Sequence, residues 1–163
     1  MHEEWRSKVA ELNLRKRYQD SAEILREKMK LGDLSAHAML ARIGSVVGLT
    51  QNEVNELISY VEANLKPDDI DAHLELHAAY DQRLGEIPYE QKARRSLDHL
   101  KVAAELGAGS IYSLAVARIY RVGTLNVSPD LIEAKQWYKR AIEQGSVEAM
   151  HEIQGLHRQM RAR

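Results

Sequence analysis

Two histidines, His73 and His77 in the run His-Leu-Glu-Leu-His, are the closest this sequence comes to a metal site. Residues four apart share one face of a helix, so both imidazoles could ligate one ion. The run is not His-Glu-x-x-His, because Glu75 lies between the two histidines on another face. No third ligand is pinned nearby, so the pair reads as packed or exposed histidines, and no metal or other cofactor is expected. Asp68 and Asp69 follow Pro67 in a turn, where carboxylates cap helices more readily than they act as acid and base. Gly107-Ala-Gly109 opens a helix whose N-terminus could attract an anion, but it coincides with a recurring turn and is not a phosphate loop. There is no Gly-x-Ser-x-Gly elbow and no nucleophile–base constellation. Cysteine is absent, which excludes disulfides, thiolate metal sites and cysteine nucleophiles. The expectation is a protein that is not an enzyme.

The composition suits one helical domain. The chain has 163 residues, 44% hydrophobic and 29% charged, with 9 Gly, 3 Pro and no Phe. Ala, Leu, Glu, Lys and Arg dominate, and straight side chains lose little freedom in a helix. The N-terminus is polar and no 18-residue apolar run occurs, so neither a signal peptide nor a membrane span is expected. A soluble, cytoplasmic protein follows. The net charge is −1 but unevenly placed. Residues 36–91 hold 3 Lys/Arg and 10 Asp/Glu, and residues 92–163 hold 12 and 7. This polarity could steer a partner or favour head-to-tail self-association, or it is two ordinary solvated surfaces. It lacks the overall basicity of a nucleic-acid binder.

The elements that must carry these residues are repeated. Gly32-Asp-Leu-Ser-Ala36, Asp68-Asp-Ile-Asp-Ala72 and Gly145-Ser-Val-Glu-Ala149 each place a short turn before an Ala. Gly107-Ala-Gly-Ser-Ile-Tyr112 is a variant. The turns are 36, 39 and 38 residues apart, a spacing that means stacked helix pairs. Ser35 or Asp71 is expected to cap a first helix. Ala41, His77 and Ala117 mark close helix approaches, Tyr80 and Tyr120 fill the next layer, and Gly48, Gly85 and Gly123 end the first helices. Second helices follow at 51–65, 89–106 and 129–144, the last starting at Pro129-Asp130. Leu131, Ala134, Trp137, Tyr138 and Ala141 keep helical spacing, so the Trp-Tyr pair reads as core. Residues 3–16 and 20–31 form a divergent first pair, and 147–161 a polar cap. Trp5, near the terminus, is either packed or part of an interface.

With those residues in view, the sequence resembles the Sel1-like repeat family, relatives of the tetratricopeptide repeats. The third unit carries the match at Tyr120, Gly123, Asp130, Ala134, Trp137, Tyr138, Ala141 and Gly145. It departs at Tyr112 and Ala117, where the family prefers Ala and Gly. The second unit keeps Ala72, Tyr80, Ala103 and Gly107 but has His99-Leu100 for Trp-Tyr, and the first keeps Gly32, Ala36 and Gly48. The resemblance is strong over residues 107–150. It implies an all-α fold, an α/α superhelical solenoid of stacked pairs with about nine helices. It predicts one domain over 1–163, with a divergent pair at 1–31, repeats over 32–146 and a capping helix at 147–163.

The resemblance also implies function. Members of the family bind proteins, usually without catalysis, and the first helix of each pair lines a concave face. A step of six residues from the opening position gives Arg42, Ala78 and Arg118, and a step of nine gives Asp81, Arg121 and Arg158. The arginines would suit an acidic segment or a C-terminal carboxylate through bidentate bonds, unless they are solvated or paired with neighbours. The expected partner is therefore a protein or peptide, not nucleic acid or membrane. The alternatives are a bacterial immunity or inhibitor protein that occludes a toxin or enzyme, and a self-assembling structural subunit.

Overall fold

A computed structural model describes residues 4–162. Among them are nine α-helices and no strand: α1 (Glu4–Leu14), α2 (Tyr18–Lys30), α3 (Leu34–Arg42), α4 (Gln51–Asn64), α5 (Ile70–Asp81), α6 (Tyr89–Glu105), α7 (Ser110–Val122), α8 (Leu131–Glu143) and α9 (Val147–Arg161). The all-α class and the helix pairs match the expectation from spacing. None of these helices is long and apolar enough to cross a membrane.

Local chemistry sets the helix starts. Asp33 caps α3 by accepting from the Ala36 backbone N–H, and Asp69 caps α5 from Ala72 at 2.9 Å. The expected caps, Ser35 and Asp71, lie two residues too late. Each sits inside the first turn of its helix, and Ser35 donates its hydroxyl to Asp33 instead, at 2.6 Å. Thr50 and Glu53 form a reciprocal capping box on α4. Asp130 caps α8 and Ser146 caps α9. At the helix ends only Gly123 serves as the expected left-handed stop, with φ 83° and its N–H bonded to the Ile119 carbonyl at 2.8 Å. α3 ends at Arg42 and α5 at Asp81, several residues before Gly48 and Gly85. After α5 the left-handed position is taken earlier, by Arg83 at φ 64°.

The helices form two compact units, the first ending at Ile87 and the second starting at Pro88. This boundary falls inside the stretch 32–146 that the sequence presents as one run of repeats. In unit 1, α3 packs against α2, α4 and α5. One cluster joins Trp5, Val9, Ala22, Leu25, Ala36 and Leu40, and a second joins Ala38, Ala41, Val54, Ile58, Val61, Ala72, Leu76, Ala79 and Tyr80. Trp5 is thus packed, with the Arg6 guanidinium 4.8 Å from its ring centre. Gly44, just past α3, lies so close to α4 that a Cβ there would meet Val54 Cγ2 at 2.5 Å.

In unit 2, α7 packs against α6 and α8, and α8 also packs against α9. Trp137 and Tyr138 are buried, as their spacing predicts, with Leu131, Ala134 and Ala141 beside them on α8. Tyr112 fills the opening position of α7 but is only half-buried, unlike Ala36, Ala72 and Ala149. A tyrosine is too large for that close approach, and Ser113 takes the fully buried place, donating its hydroxyl to Gln144 at 2.8 Å. α9 buries Ala149, Ile153 and Leu156. Its other face is mostly polar, with Val147 and Met150 the apolar exceptions.

Candidate partner-binding face

The first helices carry the candidate residues, and Arg42, Arg118 and Arg121 are engaged. In unit 1, Arg42 on α3 reaches across to α5 and donates from Nη1 to Glu75 Oε2 at 2.6 Å. Nearby, Arg6 on α1 donates to Asp71 and to the Ser35 hydroxyl, and lies 3.6 Å from Asp33. Two arginines thus sit among three carboxylates. The Glu75 side chain is only 20% exposed. Burial pushes its carboxyl above the usual range, although Arg42 and Arg6 pull the other way. Asp81 is exposed at the last position of α5 and is not part of this cluster.

In unit 2 the same construction recurs between α7 and α9. Arg118 donates from Nε to both oxygens of Glu152, at 3.1 and 3.2 Å, and its Nη2 reaches Glu152 and Glu148. Hydrogen bonds from Arg118 hold the Glu152 carboxyl below its usual range, with the Tyr138 hydroxyl, which donates at 2.8 Å, adding to the pull. Burial raises the Tyr138 phenol, while the Arg121 guanidinium opposes that shift. Arg121 also donates from Nε to Gln159 at 3.3 Å, and its guanidinium lies over Gly155 of α9, where a Cβ would be 3.2 Å from Nη2. Arg158 is exposed on α9 and outside this network.

The structure therefore brings Arg118 and Arg121 into one cluster, ties Arg42 to its own cluster, and leaves Asp81 and Arg158 apart. The glutamates are what residue-by-residue reading missed. Glu75 and Glu152 each follow their opening alanine, Ala72 and Ala149, by three residues. Each arginine at the sixth position meets the glutamate at the third position of the next first helix. That register was visible in the sequence once two repeats were laid side by side.

Other features read simply. His73 is buried and His77 half-buried on α5. No group of three or more His, Cys, Asp or Glu side chains placed to hold a metal ion occurs among the described residues. A charged groove beside α8 is lined by Lys101, Glu105, Glu133, Lys139, Arg140 and Glu143, with cations and anions balanced. A smaller apolar groove in unit 1 is floored by Leu40, Leu49 and Leu57, with His37 stacked on Tyr60 at 4.6 Å.

No family model matches the chain, and no curated protein does. Solved structures do. The protein superposes on a Sel1 repeat protein from Oxalobacter formigenes with a TM-score of 0.52 at 19% identity, over 83% of this chain and 53% of that one. It superposes on a protective antigen from uropathogenic Escherichia coli displaying an SLR fold with a TM-score of 0.57 at 22% identity, over 85% of this chain and 29% of that one. It thus spans about half the length of the first and under a third of the second. Its fold is that of the Sel1-like repeat proteins.

Proposed function

We propose that this protein is a non-enzymatic interaction module that takes a peptide or protein segment on the faces of its first helices. The observation that carries this reading is the pair of charged clusters fixed before any partner arrives. Arg42 and Arg118 are each oriented by a glutamate on the next first helix, yet Arg118 and Glu148 stay 45% and 65% exposed. Preorganised charge lowers the ordering cost of binding. Repeat stacking makes such a face without a dedicated binding loop. The Sel1-like fold supports the reading at the level of architecture. The test is capture of proteins from the source cell on the immobilised protein, read by mass spectrometry. Arg118→Ala and Arg121→Ala should each lose the captured partner, and raised salt should weaken it in the wild type. Full retention by both variants would move the binding surface elsewhere.

Self-association is a second reading, favoured by the acidic balance of residues 36–91 against the basic balance of 92–163. It predicts assembly at low salt. A monomer by light scattering at both low and high salt would remove it.

A further inference from the structure

We propose that the Nη1/Nη2 edge of Arg118 is the docking point for a carboxylate of a protein partner, and that Glu148 holds this place in the free protein. The inference rests on the reading of the first-helix face of unit 2 as partner-binding. A guanidinium offers two edges that can each take a carboxylate through parallel N–H···O bonds. One edge of Arg118, Nε and Nη2, is filled by Glu152. The other edge makes a single contact, from Nη2 to Glu148, and Nη1 donates to no described residue.

The two glutamates are built differently. Glu152 is fixed: its side chain is 26% exposed, and its second oxygen also accepts from the buried Tyr138 hydroxyl. Glu148 stands in the first turn of α9 with 65% of its side chain in solvent, and Arg118 is the partner it holds. Glu152 thus orients the guanidinium, and Glu148 merely occupies its open edge. A partner carboxylate that replaced Glu148 would make two bonds where Glu148 makes one, and Arg118 would stay paired throughout. The recognised chemistry is a carboxylate, from an Asp or Glu side chain or from the C-terminus of a polypeptide. An exposed ion pair is weak, so the exchange costs little.

The full-length protein would be labelled with nitrogen-15 and the Arg118 Nε–Hε signal followed by NMR. One probe is a hexaglutamate peptide blocked at both ends, and the other a neutral Gly-Ser peptide with a free C-terminal carboxylate. The two arms separate side-chain from C-terminal recognition. Glu148→Gln should lower the half-saturating concentration of at least one probe about three- to tenfold, the equivalent of one exposed ion pair. Glu143→Gln, also exposed, at the end of α8, should leave it unchanged, and Arg118→Lys should weaken binding of the same probe. Helical circular dichroism in each variant checks the fold. The proposal is overturned if neither probe moves the Arg118 signal in Glu148→Gln, or if Glu143→Gln tightens binding as much. Loss here, with partner capture still sensitive to Arg121→Ala, would remove the exchange and leave the broader binding reading standing.

Discussion

Arg42–Glu75 in unit 1 and Arg118–Glu152 in unit 2 are the same pair at the same repeat register, yet their glutamates shift in opposite directions. In unit 1 the first helices α3 and α5 pack directly on each other, with the small Ala38 and Ala72 fully buried in one cluster. Their ion pair is drawn into the contact, and desolvation outweighs the arginine. Arg42 uses one nitrogen, and its Nε is buried without a hydrogen-bond partner. In unit 2 α9 is held chiefly through α8, and a tyrosine stands at the opening position of α7. The pair stays wet, two-pointed and supported by Tyr138. A repeat therefore transmits the identity of a charge pair while local packing decides how far that pair is desolvated.

The largest test removes one core side chain from each unit. Leu76 is fully buried in the α3–α5 cluster of unit 1, and Trp137 is 6% exposed in unit 2. Leu76→Ala should cost about 2–5 kcal/mol and Trp137→Ala about 3–5 kcal/mol. Hydrogen exchange should speed up within residues 4–87 for the first and 88–162 for the second. Equal acceleration of both stretches by either variant would merge the two units into one cooperative body.

Next in size is Gly44→Ala. The new Cβ would sit 2.5 Å from Val54 Cγ2 and 3.0 Å from the Ala41 carbonyl. A backbone carbonyl cannot swing aside, so unit 1 should lose about 1–3 kcal/mol. An unchanged urea midpoint would mean that the turn after α3 relaxes freely.

The contrast between the units also explains what could be read from the sequence. Trp137, Tyr138 and Ala141 were legible as core because helical spacing alone puts them on one face. The caps fall two residues before the expected positions because Gly32-Asp-Leu-Ser-Ala36 holds two side chains, Asp33 and Ser35, whose oxygens can reach a free N–H. Backbone geometry, not composition, selects Asp33. Arg42 and Arg118 were legible as positions on the first helices, but their partners stand 33 and 34 residues away. Whether such a pair is buried depends on how closely two helices approach, which no single repeat encodes.

A smaller effect of opposite sign is expected at Gly155, inside α9. Its Cβ would meet the Arg121 Nη2 at 3.2 Å, the far end of a long side chain that a small rotation can move. Alanine in a helix interior is favoured over glycine, so Gly155→Ala should stabilise unit 2 by about 0.5 kcal/mol. Destabilisation would show that the contact with Arg121 is rigid, and would tie that arginine to structure and not to binding.

The subtlest test is acid. Glu75 has its folded-state carboxyl raised above 4.5, chiefly by burial, so its contribution to stability is fully present below 4.5 and is lost as pH rises through the raised value. Unit 1 should gain from this group as pH falls from neutrality. Glu152 has its carboxyl lowered below 4.5, chiefly by hydrogen bonds from Arg118, so its contribution is present above 4.5 and is lost as pH falls through the lowered value. Unit 2 should lose from this group in that acidic window. All the other carboxylates titrate too, so the readout is the difference between each Glu→Gln variant and the wild type. Glu75→Gln should remove a stability gain between neutral pH and 4.5, and Glu152→Gln a stability loss below it. Urea midpoints measured across this range would check both signs. Variants that differ from the wild type in the same direction would mean that the two pairs share one environment, and that Arg118 is no more available to a partner than Arg42.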